Sequence, residues 1–435
     1  MDDLQVKTGK VPILINKLEL NVSNASLSGI NTREPVFYGH INGQWNSLSL
    51  NKPTDNGFIE ITGLSGKLDD FSLSIPAGEG KKPFENVIDK MNLTGGRLHY
   101  TNGITVATIS NITGTAKEGM LELKDVEIKP EATLAFFLKT TQWQKDYLTF
   151  NCDKIVLKKI NNQALLQDTA LFIQQVYLYN PRLSSYRDKN MAFRHGVEKG
   201  MPTQLITGIK MPLQIDTIYI KGASVNVHEV SEITKREGIV PLSNIDASFK
   251  NFTNRPGEKD SLIINLSGRV IDYNIRTFRY AESYQDSLSG FRMNYNISPM
   301  HLPMLTQVTG PLSAIAVTRG FADTLYARVS GNKYATFGEI NFYYHNLGIR
   351  ILNKKDTRKK DLLLAFESVI ANSLIIRSNN KKQANMFFVR NREKFVFNYW
   401  VKTLFSGLFT SAGAKKSSKY KRMYEEVAEK YSLPR

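Results

Sequence analysis

Histidine, cysteine and aspartate are residue types that often take part in catalysis, yet in this 435-residue chain they form no recognisable catalytic pattern. The six histidines are scattered, and none has a spacing that would place two on one helix face around a metal ion. The chain also has no nucleophile elbow, no phosphate-binding glycine loop and no H-E-x-x-H motif. The sequence therefore predicts a protein that is not an enzyme, with no catalytic residues, no metal site and no cofactor.

The single cysteine, Cys152, cannot form an internal disulfide, and no histidine is near it in the sequence. It occupies the first apolar position of the segment CDKIVL, so we expect a small buried side chain and not a nucleophile. Aspartates recur at the same place in three similar segments, as Asp89, Asp153 and Asp216. An acid that is repeated in several strands is better explained by turn or bulge geometry than by one active site.

A repeated arrangement of apolar residues is the main organising pattern. PILINKLELNVSNASL at 12–27 and PLQIDTIYIKGASVNV at 212–227 keep their apolar residues in step and shift phase at the same two places. Such a shift indicates short alternating strands joined by a bulge or kink. The six-residue core, apolar-x-x-apolar-x-apolar, recurs in IDKMNL at 88–93, LKDVEI at 123–128, CDKIVL at 152–157 and IQQVYL at 173–178.

These alternating runs are separated by Asn, Gly, Asp and Ser turns and show no strand-helix-strand rhythm, which predicts a mainly β protein. We expect an elongated fold of repeated antiparallel strands that form a curved sheet or an open β-groove, with short helices and an amphipathic C-terminal helix. The predicted domains are an N-terminal β-repeat region at 1–145, a continuing β-repeat region at 146–350 and a basic C-terminal segment at 351–435.

The net charge of +17 and the pI near 9.6 indicate an acidic partner or surface. Most basic clusters lie after residue 350, and because no nucleic-acid reader motif accompanies them, we expect no nucleic-acid partner. An amphipathic helix is predicted at 395–412, followed by a polar terminal helix. The first helix either lies in a bilayer interface or caps the open end of a sheet. Its predicted membrane-interface residues are Phe397, Trp400, Val401, Leu404, Phe405 and Leu408.

The C-terminal half resembles a known family. The runs GRVIDYNIRTFRY, GPLSAIAVTRG, YARVSGNKYATFGEINFYYHNLGIRIL and FESVIANSLIIRSNN, with the repeated strands, are similar to the AsmA-like family of bacterial envelope proteins. More loosely, they are similar to the bridge-like lipid-transfer proteins, which have repeated β-groove domains. The ending of the AsmA-like family is matched by Gly338, Ile340, Phe342, Tyr344 and Leu347.

That resemblance implies a protein at the periplasmic face of the inner membrane, with a role in envelope homeostasis, lipid movement or outer-membrane biogenesis. The sequence departs from the family because it shows no amino-terminal membrane helix and no signal peptide. Nor does any stretch reach the roughly twenty apolar residues that a spanning helix needs.

A long sheet with one apolar face and few helices to cover it leaves a trough that lipid tails can fill, since each buried methylene contributes roughly 0.8 kcal/mol. The sequence therefore predicts that the protein holds or moves acyl chains. Its expected partners are phospholipid or another lipid, an anionic membrane surface and other envelope proteins. Two alternatives stay open, namely a structural or docking scaffold and a binding module for anionic polysaccharide. The predicted groove residues are Ile15, Leu18, Leu20, Ile88, Met91, Leu93, Ile215, Ile218 and Ile220.

Overall fold

The computed structural model describes residues 3–8, 11–16, 19–28, 36–54, 56–76, 91–167, 170–257, 260–352, 376–413 and 417–431. Side chains are outside the description at 3–42, 69–76, 91, 166–167, 417–421, 424 and 431. The chain is mainly β with short helices and a longer C-terminal helix, which confirms the predicted fold class. It consists of two compact units. Unit 1 comprises Met1–Phe136, Leu148–Arg182 and Met211–Tyr219, and unit 2 comprises Phe137–Tyr147, Leu183–Lys210 and Ile220–Arg435.

Unit 1 is built from short and long antiparallel strands. They are β1 Asp3–Thr8, β2 Val11–Asn16, β3 Glu19–Ser28, β4 Val36–Thr54, β5 Gly57–Pro76, β6 Met91–Thr94, β7 Arg97–Thr101, β8 Thr105–Ile109, β9 Asn111–Thr115, β10 Met120–Pro130, β11 Tyr147–Ile160 and β12 Leu171–Tyr179. Its described helical segments are short, namely the first residues of α1 Leu134–Thr140, the helix α2 Asn162–Gln167 and a 3-10 turn at Ala116–Glu118. The long strand β4 pairs with β2, β3 and β5, and β10 pairs in turn with β8, β9 and β11.

The predicted phase shift has a visible cause in β10. Asp125 has a φ of 48°, a left-handed backbone conformation inside the segment LKDVEI, between Leu123 and Val126. In the first repeat, the change of phase falls between the end of β2 at Asn16 and the start of β3 at Glu19. Alternation with period two therefore builds the strands of unit 1, and the shifts mark bends or breaks in them.

Unit 2 is also built from antiparallel strands. Its strands are β13 Arg182–Asp188, β14 Leu213–Val230, β15 Glu237–Thr253, β16 Ser261–Val270, β17 Tyr273–Ser283, β18 Phe291–Ile297, β19 Met300–His301, β20 Ile315–Gly331, β21 Ala335–Ile351 and β22 Ala384–Val389; the first residues of β13 and β14 belong to unit 1. The helices are α3 Pro202–Thr207, a 3-10 turn at Leu302–Leu305, α4 Thr306–Ser313, α5 Val396–Ser411 and α6 Ser417–Tyr431. Strands β15, β16, β17, β18, β20, β21 and β22 pair in that order.

The core of unit 2 lies on one face of this meander. Residues directly opposite each other on neighbouring antiparallel strands share a face, and one such row crosses five strands. Phe278, Tyr295, Ala327, Ile340 and Ala384 are paired in register. All five are at most 9% exposed, so this row is closed from solvent.

Helices α5 and α6 pack on the last strands of the meander. The hydroxyl of Tyr295 donates to the carbonyl of Trp400 at 3.1 Å, and the hydroxyl of Tyr399 donates to the carbonyl of Asn332 at 3.0 Å. These bonds fix α5 over the core row. The terminal helix α6, predicted to be polar, buries Ala428 and packs Met423 and Val427 against Ala335 and Phe387.

Candidate functional site

Unit 1 also has an apolar row, which crosses β9, β10, β11 and β12. Ile112 is opposite Leu123, Leu123 is opposite Ile155, and Ile155 is opposite Leu178. A second row beside it pairs Gly114 with Leu121, Leu121 with Leu157, and Leu157 with Val176. Because paired residues share a face, these side chains form one apolar surface, here called the unit 1 rows.

The unit 1 rows are covered only in part. Ile112 and Val176 are buried, at 9% and 8% exposed, and they lie at opposite ends of the surface. The other aliphatic side chains of the surface are half-buried; these are Leu121, Leu123, Ile155, Leu157 and Leu178. A surface of branched aliphatic side chains that is left half-open is suited to binding an apolar ligand without any specific polar contact.

The opposite face of the same strands is polar and aromatic. Tyr177 stacks on Tyr219 with ring centroids 4.9 Å apart, and the ammonium of Lys158 lies 5.1 Å from the Tyr177 centroid. Next to them, Lys154 lies 4.9 Å from the ring of Tyr179, its partner in register. The two faces of the sheet therefore differ in chemistry: one presents the aliphatic rows, and the other combines tyrosines and lysines with the buried Val156.

The structure places the predicted groove residues in different environments. Leu93, on β6, pairs with Gly114 of the unit 1 rows and is half-buried. Ile215 is 9% exposed, while Ile218 and Ile220 are half-buried on β14. Leu18 and Ile88 lie outside the described residues, and the side chains of Ile15, Leu20 and Met91 are not described.

The buried side of α5 combines apolar residues with residues that a helical wheel marks as polar. Its buried residues include four Ser or Thr side chains and a glycine in the middle and at the end of the helix. The hydroxyl of Thr403 donates to the carbonyl of Tyr399 at 2.8 Å, and that of Ser406 donates to the carbonyl of Thr403 at 2.7 Å. These groups bond to the backbone of their own helix, so they can be buried without loss of a hydrogen-bond partner. The buried face consists of Val396, Tyr399, Trp400, Thr403, Ser406, Gly407, Thr410 and Ser411.

Gly407 allows a close approach between α5 and the sheet. A methyl group added at its Cα would lie 2.4 Å from the Cγ of Met386, which leaves no room for a side chain. Met386 is itself fully buried on β22. The small residues of α5 therefore fix which side of the helix faces the core.

The remaining side of α5 is apolar and open. Phe397, Val401 and Phe405 are 68%, 50% and 38% exposed and are spaced four residues apart, so they form one stripe, here called the α5 ridge. Of the other predicted interface residues, Trp400 is buried in the core, and Leu404 and Leu408 are half-buried. The single predicted stripe is therefore divided between the core and the surface.

Unit 2 contains a buried polar cluster that the sequence did not predict. The carboxylate of Glu282 is fully buried and accepts hydrogen bonds from the backbone N–H of Thr203 at 3.1 Å, the hydroxyl of Thr203 at 2.7 Å and the hydroxyl of Tyr280 at 3.0 Å. Burial raises the pKa of Glu282 to about 7, against the lowering effect of these bonds and of Arg390. Nothing in the local sequence could reveal a contact between residues 79 positions apart.

Arg390 also belongs to this cluster, and burial lowers its pKa. Its guanidinium donates to the carbonyls of Lys199 and Gly200, at 2.6 Å and 3.3 Å, and lies 5.8 Å from the ring of Tyr399. The cluster thus links α3 and the segment before it with β17, α5 and the residue that follows β22, all within unit 2. It acts as a polar connection inside the core.

The cysteine and the described repeated aspartates make contacts that are typical of structural residues. Cys152 is 1% exposed, and burial raises the pKa of its thiol. Asp153 accepts hydrogen bonds from Asn180 and Arg182, which lower its carboxyl pKa. Asp216 accepts from the side-chain amide of Gln214 at 3.1 Å, and Asp89 lies outside the described residues.

A depression of about 360 Å³ on unit 1 brings several polar side chains together. In it, the hydroxyl of Ser110 donates to Asp125 at 2.6 Å, while His99 stacks on Phe58 with centroids 5.3 Å apart. The serine thus bonds an acid on a neighbouring strand and not the histidine. Within the described ranges, no group of three or more His, Cys, Asp or Glu side chains could hold a metal ion.

Comparison with protein-family models and curated proteins identified no relative of the chain. Among the helices in the described part of the chain, none is both long and apolar enough to cross a bilayer.

Proposed function

We propose that the protein holds or moves the acyl chains of a lipid on the unit 1 rows, without catalysing a reaction. The observation that supports this proposal most is the partial cover of Leu121, Leu123, Ile155, Leu157 and Leu178, which are aligned on one face and half-buried. Each exposed methylene that a lipid tail covers contributes roughly 0.8 kcal/mol, so several aligned side chains can hold an acyl chain without a polar anchor.

The AsmA-like resemblance supports the same proposal. It would place the protein at the periplasmic face of the inner membrane, where moving lipid toward the outer membrane requires a covered apolar path. A docking scaffold and a module for anionic polysaccharide are the competing functions. The Tyr177–Tyr219 stack, with Lys158 over Tyr177 and Lys154 over the neighbouring Tyr179, is the described feature on which a polysaccharide could bind.

Lipid extraction with native mass spectrometry tests the proposal. The full chain is purified from bacterial membranes, and we expect phospholipid to co-purify with it. The double variant L123Q/L178Q places two polar amides on the unit 1 rows and should lose most of that lipid. The matched control is Gln175→Asp, which adds polarity to β12 on the face opposite Val176 and Leu178.

Circular dichroism verifies that each variant is folded. If the folded wild-type protein carries no lipid, or if L123Q/L178Q and Q175D lose lipid equally, the acyl-binding proposal fails and the scaffold function takes its place. If binding of an anionic polysaccharide is lost in Lys158→Ala while lipid is never found, the polysaccharide function is the correct one.

A further inference from the structure

We propose that the α5 ridge docks unit 2 onto the surface of an anionic lipid bilayer. The ridge presents two phenylalanines and a valine to solvent on consecutive turns of one helix. Helices of globular proteins usually turn such a stripe toward the core and keep their polar stripe outside. In α5 the apolar side chains are divided: Val396, Tyr399 and Trp400 face the core, while the ridge stays outside as an apolar surface that an interface can cover.

The exposure of the ridge is fixed by packing. Rotating α5 to bury Phe397 and Val401 would pull Gly407 away from Met386 and break the bond from Tyr295 to the carbonyl of Trp400. Trp400 is packed between Phe278 and Tyr280, with ring centroids 5.4 Å and 4.6 Å away. The core therefore holds the ridge outward.

Aromatic rings and lysines continue around the amino end of α5. The ammonium of Lys199 lies 5.2 Å from the centroid of Phe395, and Phe395 is 45% exposed. The ammonium of Lys394 lies 6.0 Å from the centroid of Phe193. Aromatic rings beside long cationic side chains are typical of helices that lie in a bilayer interface, because the rings enter the headgroup layer while the ammonium groups reach the phosphates.

Charge selects the occupant of this surface. The segments 193–199 and 391–402 contain five Lys and Arg residues and two Glu residues, in a chain of net charge +17. A second copy of the chain would meet like charge, whereas a bilayer rich in anionic lipid attracts each cation near its surface. An anionic bilayer is thus the partner whose charge and apolarity both match. Docking on an anionic bilayer would give the proposed lipid-binding function its source of lipid. The docking site itself consists of α5 and the side chains beside its amino end, and it does not require that function.

Vesicle flotation tests the docking site. Full-length protein is mixed with vesicles of phosphatidylglycerol and phosphatidylcholine, and with vesicles of phosphatidylcholine alone. We expect binding to the anionic vesicles, and the variant F397S/V401S/F405S should partition on the order of a hundredfold more weakly because three exposed apolar side chains are lost. The matched control I104S/F136S/L148S removes three apolar side chains of unit 1 that are 67%, 59% and 48% exposed. It should bind to the vesicles like the wild type.

A second measurement reports insertion of the ridge directly. In Phe397→Trp, the new indole should shift its emission to shorter wavelength on anionic vesicles and be quenched by lipids with brominated acyl chains. Wild-type-like flotation of the triple variant, or an unshifted and unquenched indole in bound F397W, would overturn the inference. Concentration-dependent dimerisation that the triple variant abolishes, without vesicle binding by the wild type, would assign the ridge to a second copy instead.

The two proposals fail separately. F397S/V401S/F405S should lose vesicle binding and, when refolded with detergent-solubilised phosphatidylglycerol, still retain lipid in native mass spectrometry. L123Q/L178Q should show the reverse. If both variants lose both properties in folded protein, the ridge is not an independent docking site.

Discussion

Two apolar rows of this molecule are built by the same rule and differ in how they are covered. In unit 2, the row that includes Ala327 and Ile340 crosses five antiparallel strands and is closed, with both of these residues fully buried. In unit 1, the row that includes Leu123 and Ile155 crosses four strands and is half-open. Strand alternation creates an apolar face in both, but among the described residues only the row of unit 2 has a long helix over it.

The difference shows that period-two alternation specifies a face and does not specify what covers it. In unit 2, aromatic side chains and α5 complete a core in the ordinary way. In unit 1, the described helical segments are short, and aliphatic side chains stay accessible. A ligand with an apolar chain would supply the missing layer.

Truncating one matched residue in each row should give the largest difference in the free energy of unfolding. Ile340→Ala removes a fully buried side chain and should lower the free energy of unfolding by about 3 to 4 kcal/mol. Ile155→Ala removes a half-buried one and should cost about 1 kcal/mol, because much of that surface already meets water. Urea unfolding followed by circular dichroism measures both. Equal losses would mean that the unit 1 rows are as tightly packed as the core of unit 2.

The buried carboxyl of unit 2 should make stability depend on pH. The pKa of Glu282 is about 7 in the folded protein and has its ordinary value of 4.5 in the unfolded chain. A raised folded pKa means that the proton stabilises the folded state, so the contribution is fully present below pH 4.5 and is lost as the pH rises through 7. The loss amounts to about 3 kcal/mol.

Glu282→Gln provides the matched variant, since the amide preserves the shape and cannot ionise. The stability of the wild type relative to E282Q should therefore fall between pH 4.5 and pH 8, as measured by urea unfolding at several pH values. A difference that does not vary with pH would show that Glu282 keeps an ordinary pKa in the core.

The two sides of α5 should respond differently to a change of size. Gly407→Val inserts a side chain where even a methyl group has no room, and it should cost about 2 kcal/mol. Val401→Ala, on the α5 ridge, should change stability by less than about 0.5 kcal/mol. Thermal unfolding compares them, and the opposite order would mean that α5 packs by its apolar stripe.

The smallest effect is expected on the polar face of unit 1. Lys158→Ala removes an exposed cation over the ring of Tyr177 and should cost about 0.5 kcal/mol. Lipid retention should not change, because the side chain lies on the face opposite Leu157. Loss of lipid in this variant would mean that lipid binds to the face of Lys158 and not to the unit 1 rows.

Sequence patterns specify part of this architecture. The first apolar position of the repeated hexamer is buried in three copies, at Cys152, Ile173 and Ile215. The helix predicted at 395–412 is present at 396–411. Both results follow from local periodicity, which strands and helices express directly.

Other features depend on contacts that periodicity does not contain. The division of the α5 stripe between core and surface could not be predicted, because a helical wheel counts Thr403 and Ser406 as polar although their hydroxyls bond to the helix backbone. The Glu282 cluster depends on a strand, a helix and Arg390 meeting in space. The unit 1 rows require the register between four strands, and Leu121 and Leu157 contribute to them through that register.

Photo-crosslinking tests most directly whether the unit 1 rows bind an acyl chain. The probe is a phosphatidylglycerol with a diazirine near the end of one acyl chain. After illumination of the full-length protein, peptide mass spectrometry locates the crosslinked residues. The unit 1 rows predict labelling within 121–128, 153–157 and 176–178, reduced in L123Q/L178Q, and no labelling at 278–282 or 338–342 in the closed row of unit 2. Labelling confined to the α5 ridge, or spread evenly over both rows, would contradict an acyl-binding face on unit 1.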